Sequence, residues 1–106
     1  MNAALARTFA DFTEALTKFT RAPLCADLFS WCVETDTFPH IRWSLSALGV
    51  GFEPSMTVAD LRAKIERKLE QEISRGERRH WSFDTNRLIT WRQLLRAIDK
   101  FNRSAA

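Results

Sequence analysis

Apolar residues recur at helical intervals along most of the chain. In the first segment they are three or four positions apart, with charged residues between them, and they are Leu5, Phe9, Phe12, Leu16 and Phe19. Because an α-helix turns by about 100° per residue, this spacing brings the apolar side chains onto one face. The pattern predicts an amphipathic helix over residues 3–21 with one buried stripe.

The second and third helices are predicted over residues 23–34 and 39–48. Pro23 suits a first helical turn, where its missing N–H costs nothing. Apolar residues cover about half of the helical surface that follows, so we expect this helix to be central to the core. Gly49 suits the C-terminus of the third helix, whose apolar face consists of Ile41, Leu45 and Leu48.

Trp43 lies away from the apolar face of the third predicted helix. An exposed Trp at this position would mark a binding patch. We expect Trp43 to pack against another element instead, because a small domain needs its large aromatic residues for its core.

The fourth helix is predicted over residues 58–75. Thr57 and Asp60 have the spacing of a capping box, and Gly76 is a natural stop. The apolar stripe of this helix consists of Val58, Leu61, Ile65, Leu69 and Ile73. Opposite charges four positions apart predict three surface ion pairs, namely Asp60–Lys64, Arg62–Glu66 and Lys68–Glu72.

Residues 77–90 allow two interpretations, a long last helix from Asp84 or a small β-hairpin near residues 80–90. The phase of the apolar pattern favours the hairpin. A helix extended backward from residues 91–103 would bring Arg87 among the apolar residues and Ile89 among the basic ones.

A second capping box supports the same interpretation. Thr90 and Gln93 have the required spacing, directly before the apolar stripe of the last helix. We therefore expect a new helix after Thr90, over residues 91–103, with an extended segment or hairpin before it.

These elements predict a mainly α fold. The 106 residues are the size of one domain. We expect residues 1–106 to form a compact single-domain bundle of about five helices, with a small β-hairpin near residues 80–90.

The charges change this picture because they are unevenly distributed. Residues 1–53 carry 4 Lys and Arg against 6 Asp and Glu, whereas residues 54–106 carry 12 against 7. Basic residues follow the side of the last helix opposite its apolar stripe, and a second basic cluster precedes that helix. We predict that the two groups form a partner-binding surface composed of Arg75, Arg78, Arg79, Trp81, Arg92, Arg96, Lys100 and Arg103.

This surface favours a small non-enzymatic interaction or regulatory protein of the adaptor or inhibitor type. Its expected partner is a protein with an acidic surface, because Arg makes bidentate contacts to carboxylates and because Arg and Trp are enriched at interface hot spots. The alternative is nucleic acid, whose phosphates the same basic residues would neutralise while Trp81 stacks on a base. The sequence is also compatible with a homo-oligomer.

The chain carries no motif for catalysis or cofactor binding. It has no Gly-rich phosphate loop, no HExxH and no GxSxG. The intervals between its Cys and His residues, Cys25, Cys32, His40 and His80, do not match those of a structural zinc site. We therefore expect no enzymatic activity, no metal and no cofactor.

The two cysteines and the apolar runs indicate a cytoplasmic protein. On one helix, Cys25 and Cys32 would have Cα atoms ~10 Å apart, too far for a disulfide, so we expect two buried thiols in a reducing compartment. Arg7 and Asp11 interrupt the N-terminal apolar run, which argues against a secretory signal. No apolar run reaches the length of a membrane span, and we expect no membrane partner.

Overall fold

The computed structural model describes residues 22–105, and four α-helices contain most of them. We number them α1 (Cys25–Glu34), α2 (Ile41–Ala47), α3 (Val58–Glu77) and α4 (Thr85–Ala105). This part of the chain contains no β-strand. The prediction of a mainly α fold is confirmed. The helix predicted over residues 3–21 lies outside the described residues, so the count of five is not confirmed.

The two long helices, α3 and α4, pack against each other in antiparallel directions. Arg62 near the start of α3 forms an ion pair with Asp99 near the end of α4, with 2.9 Å between Nε and Oδ1. Glu72, late in α3, forms an ion pair with Arg87 in the first part of α4. The two ion pairs connect the helices near both ends of the hairpin.

Helix α1 is central, as its wide apolar surface predicts, and it packs against all three other helices. Its Phe29 ring meets Phe52 edge-on at 5.2 Å between centroids, and its Trp31 ring meets Phe101 in the same way at 5.6 Å. The buried core that surrounds α1 consists of Cys25, Leu28, Phe29, Cys32, Ile41, Leu45, Val50, Val58, Leu61, Ile65, Trp91, Leu94, Ile98 and Phe101.

The beginning of α1 is fastened to the beginning of α3 by backbone hydrogen bonds. The Cys25 N–H donates to the Met56 carbonyl at 2.8 Å, and the Val58 N–H donates to the Pro23 carbonyl at 2.9 Å. These bonds satisfy N–H groups that a helix start leaves without an intrahelical partner. The N-termini of α1 and α3 are therefore held side by side by these backbone hydrogen bonds.

The predicted start of the last helix was wrong, because α4 already begins at Thr85. Asp84 caps it, since its Oδ1 accepts a hydrogen bond from the Asn86 N–H at 2.8 Å. The Thr90 hydroxyl donates to the Asn86 carbonyl one turn earlier, at 2.9 Å. Thr90 is thus inside the helix. Residues 80–90 form a turn and the first part of α4, and the predicted hairpin is not present there.

Arg87 explains the break in the apolar pattern. It faces α3, as the helical phase requires, and its Nε is 2.6 Å from Oε1 of Glu72. Glu72 is only 1% exposed. An ion pair occupies a position where apolar side chains were expected, while Ile89 is 46% exposed on the other side. Helix α4 therefore includes residues 85–90, although the apolar pattern of residues 91–103 does not extend into them.

Glu72 also corrects the predicted surface ion pairs of α3. Its inward orientation toward Arg87 replaces the expected Lys68–Glu72 pair. Lys64 donates to the Gly51 carbonyl at 2.9 Å in place of the expected pair with Asp60. Of the three predicted pairs, only Arg62–Glu66 is formed.

Helix α3 ends at Glu77, two residues beyond its predicted end. Gly76 lies inside the last turn, where a Cβ atom would stand 2.9 Å from Cε2 of Phe83. This glycine therefore permits close packing of an aromatic ring. The left-handed residue after the helix is Arg79, with φ 52°.

The other predicted boundaries are close to the observed ones. Thr57 caps α3, since its hydroxyl oxygen accepts a hydrogen bond from the Asp60 N–H at 3.2 Å. Gly49, with φ 76°, follows α2 as expected. Among residues 22–105, no helix is both long enough and apolar enough to cross a membrane.

Candidate partner-binding surface

Four of the eight predicted contact residues lie together on the exposed side of α4. We call this set the α4 basic face, and it consists of Arg92, Arg96, Lys100 and Arg103. The opposite side of the helix is buried in the core. Within the described part of the chain, none of the four basic side chains is within ion-pair distance of a carboxylate. Their positive charge is therefore uncompensated there.

The other four predicted residues lie around the turn between α3 and α4. This turn cluster consists of Arg75, Arg78, Arg79 and Trp81. Trp81 is 89% exposed, and its indole lies beside the His80 ring, with 5.5 Å between the ring centroids. Arg75 differs from the others because its Nη1 is 3.8 Å from Oε2 of the buried Glu72.

The buried ion pair also shapes this turn. Arg87 donates from Nη2 to the Ser82 carbonyl while its Nε contacts Glu72. The His80 N–H donates to the Arg75 carbonyl at 2.8 Å. These bonds connect both sides of the turn that carries Trp81.

The α4 basic face and the turn cluster are separated along the hairpin. The turn cluster adjoins Thr85, the first residue of α4, whereas Arg92 and Arg103 lie seven and eighteen residues further on. At 1.5 Å per residue, these positions are about 10 Å and about 27 Å along the helix axis. A small ligand bound near Arg103 would therefore not reach the turn cluster, and only an extended partner would contact the whole of both groups.

Trp43 is a surface residue that the sequence did not predict. It is 73% exposed, so the expectation that it packs into the fold was wrong. Helix α2 has only seven residues and turns Ile41 and Leu45 into the core. Trp43 is on the opposite side, which leaves the indole largely accessible.

A groove lies beside Trp43. It has a volume of about 580 Å³ and is lined by Phe38, Pro39, His40, Trp43 and Ser44. We call it the Trp43 groove. Two aromatic rings and a proline provide its apolar surface, and no acidic residue lines it.

A second groove, of about 370 Å³, connects this region to α4. Its lining residues are Thr37, Phe38, Gln93, Arg96, Ala97 and Lys100, and we call it the α4 groove. Phe38 lines both grooves. The apolar Trp43 groove and the α4 basic face therefore adjoin each other across one aromatic side chain.

The connection between α1 and α2 positions Phe38 by an unusual backbone conformation. Asp36 and Phe38 have φ values of 53° and 57°, in the left-handed region that costs a non-Gly residue about 1–2 kcal/mol. The Thr37 N–H donates to the Cys32 carbonyl at 2.9 Å, and the Ile41 N–H donates to the Phe38 carbonyl at 3.1 Å. The sequence of this connection contains no glycine that would have indicated such a turn.

The two thiols lie away from these surfaces. Cys25 and Cys32 are fully buried in α1 and unpaired, as predicted. Burial raises the pKa of Cys32 to about 11. The pKa of Cys25 is also raised, first by burial and second by the charge of Asp60. Both thiols are therefore protonated at neutral pH, which makes them poor nucleophiles.

Among residues 22–105, no three His, Cys, Asp or Glu side chains come together as metal ligands would. Comparison with known proteins finds no match to a family model, to a curated protein or to a solved structure.

Proposed function

We propose that this chain is a non-enzymatic interaction protein, of the adaptor or inhibitor type, that binds a partner protein with an acidic surface. The observation that supports this function is the α4 basic face. Its basic side chains are exposed and unpaired within the described residues, on a helix whose other side is buried in the core.

The packing of α4 gives this face a fixed shape. Trp91, Leu94 and Ile98 are at most 3% exposed, so the helix backbone is held in place. Side chains that project from a rigid element lose less conformational entropy on binding than those of a mobile loop. The positive charges would accelerate encounter with an acidic partner and fix its orientation.

The surroundings of the face favour a protein over a nucleic acid. Arg96 and Lys100 share the α4 groove with Phe38 and Ala97. Charged and apolar surface thus lie side by side, which is the composition of a protein–protein interface with a desolvated centre and a polar rim. A phosphate backbone would use only the charges.

A specific observation supports nucleic acid as the second candidate, at a different place. Trp81 is 89% exposed, and Arg78 and Arg79 are exposed beside it. An aromatic ring next to basic side chains can stack on an unpaired base while the cations neutralise phosphates. This candidate uses the turn cluster.

Selection of short random peptides displayed on phage tests the first candidate. Peptides that bind the full chain at physiological salt are expected to be rich in Asp and Glu. In fluorescence anisotropy, Arg96→Glu/Lys100→Glu should weaken their binding at least about tenfold, because charge reversal repels an acidic partner.

The matched control is Arg67→Glu/Lys68→Glu, which makes the same change in net charge on exposed positions of α3. It should retain most of the affinity. Equal losses in both double variants would show only a general charge effect and contradict the proposed surface. Selected peptides without acidic residues would contradict the proposed partner.

Labelled single-stranded DNA of mixed sequence tests the second candidate. Binding that weakens steeply with salt and is lost in Trp81→Ala would favour nucleic acid. Absence of binding at low salt would eliminate it.

A further inference from the structure

We propose that the Trp43 groove is an anchor site for one large apolar side chain of the acidic segment that the α4 basic face binds. The inference rests on the proposed function and specifies its ligand. That ligand is a protein segment with a Trp, Phe, Leu or similar residue and with carboxylates beside it.

The shape and chemistry of the groove indicate an apolar occupant. Its volume of about 580 Å³ is within the range of ligand pockets, ~300–1,000 Å³. Trp43 is 73% exposed, so a bound side chain would remove a large aromatic surface from water. Burial of such surface is the main favourable term in association.

The continuity of the two grooves indicates what surrounds that apolar residue. Phe38 lines the Trp43 groove and the α4 groove, so a chain anchored at Trp43 continues past Phe38. There it meets Arg96 and Lys100. Neither groove is lined by a carboxylate, and the neighbours of the anchor residue are therefore best matched as Asp or Glu.

The backbone at Phe38 supports a preformed site. A bulky residue with φ 57° is uncommon, and strained residues of this kind concentrate at ligand-binding positions. The hydrogen bond from the Ile41 N–H to the Phe38 carbonyl helps to hold it. The backbone that carries this ring is thus held before a partner arrives, and the ring itself packs partly against the core.

Two other occupants fit the charges less well. A second copy of this chain, with a net charge of +3, would bring a second basic face. The segment of residues 1–21 carries three basic and two acidic side chains, so it offers no net negative charge to the basic face. A separate acidic segment matches both the apolar groove and the basic residues.

Paired peptides and paired Trp variants test the inference. The probes are the tightest-binding peptide selected on phage and the same peptide with its large apolar residue replaced by Ala. Trp43→Ala should weaken binding of the original peptide at least about tenfold. Its affinity should then be close to that of the Ala peptide. Trp81→Ala removes an even more exposed indole, at the turn between α3 and α4, and should change neither affinity.

The outcomes separate the inference from the proposed function. If Trp43→Ala leaves the affinity of the original peptide unchanged while Arg96→Glu/Lys100→Glu lowers it, the proposed anchor site is wrong, whereas the proposal of an acidic partner is retained. If Trp43→Ala lowers the affinity of the original peptide while the charge reversal does not, the proposal of an acidic partner is wrong. If no acidic peptide binds, both proposals fail.

Measurements on the full chain test the other occupants. Light scattering that shows a dimer for the chain and a monomer for Trp43→Ala would place a second copy in the groove and overturn the inference. Tighter peptide binding by Phe9→Ser/Phe12→Ser would show that the N-terminal segment competes for the groove, and would also overturn it. We expect neither effect.

Discussion

At the scale of single residues, burial decides which side chains can react and which can bind. The sequence predicted the inward-facing residues of α2 well, because Ile41 and Leu45 are separated by one helical turn. It did not predict the exposure of Trp43. Periodicity shows which residues share a face, but coverage of the opposite face depends on where other elements pack.

Phe38 carried no recognisable signal either. Its left-handed backbone is imposed by the hydrogen bonds of the connection between α1 and α2. Its sequence neighbours are Thr37 and Pro39, and glycine, the usual residue for this conformation, is absent. A residue that connects two grooves was therefore visible only in three dimensions.

Burial of Cys32 predicts a specific dependence of stability on pH. Its pKa rises from 9.0 to about 11 on folding, so the folded state binds the proton more tightly. The resulting stability is fully present below pH 9 and is lost as the pH rises to about 11. We expect a loss of about 2–3 kcal/mol in the free energy of unfolding over this window.

Urea unfolding at several pH values measures this effect. Cys32→Ala is destabilised by a cavity, but its stability should fall less steeply between pH 9 and pH 11 than that of the unchanged chain. Equal slopes would show that the Cys32 thiol ionises as readily in the folded state as in the unfolded state.

At the scale of elements, three helix positions followed from periodicity and capping residues. Helix α3 begins at its predicted residue and ends two residues late. Helix α4 begins six residues before its expected start, because periodicity equates buried with apolar. Glu72 and Arg87 bury a charged pair instead. Asp84 was the available signal, since Asp is a preferred N-cap residue.

The Glu72–Arg87 ion pair predicts a strong coupling between α3 and α4. Glu72 is 1% exposed, and its Oε2 has no hydrogen-bond partner within the described residues. Removing Arg87 would leave a buried carboxylate without its main counterion. We expect Arg87→Leu to lower the free energy of unfolding by about 3 kcal/mol.

The double variant Glu72→Leu/Arg87→Leu should recover most of this loss, because apolar residues of similar size often replace a buried ion pair at little cost. Arg62→Leu is the control, since Arg62 pairs with partly exposed carboxylates and should cost less than about 1 kcal/mol. Equal losses in Arg87→Leu and Arg62→Leu, measured by urea unfolding, would contradict a dominant role for the buried pair.

At the scale of the whole molecule, the charge asymmetry of the sequence corresponds to a definite surface. The polar side of the last helix was predictable, because an amphipathic helix that docks by its apolar side must expose the other. The distribution of the eight predicted residues over the turn and along the length of α4 was not predictable. It follows from the start of α4 at Thr85, six residues before the expected start.

The sequence also did not predict that the Trp43 groove lies close to α4. Phe38 and Arg96 are more than fifty residues apart in the chain, and no local pattern relates them. They meet because α1 packs against α4 and carries the following connection with it. A candidate site of this kind arises from tertiary packing.

Chemical-shift mapping by NMR shows directly whether an acidic peptide binds across the Trp43 groove and the α4 basic face. The isotope-labelled full chain is titrated with the tightest-binding selected acidic peptide. We expect the largest shifts on Phe38, the Trp43 indole N–H, Arg96 and Lys100, while the Trp81 indole N–H stays unchanged. Shifts centred on Trp81 and the turn cluster, with Trp43 and Arg96 unaffected, would contradict the proposed site.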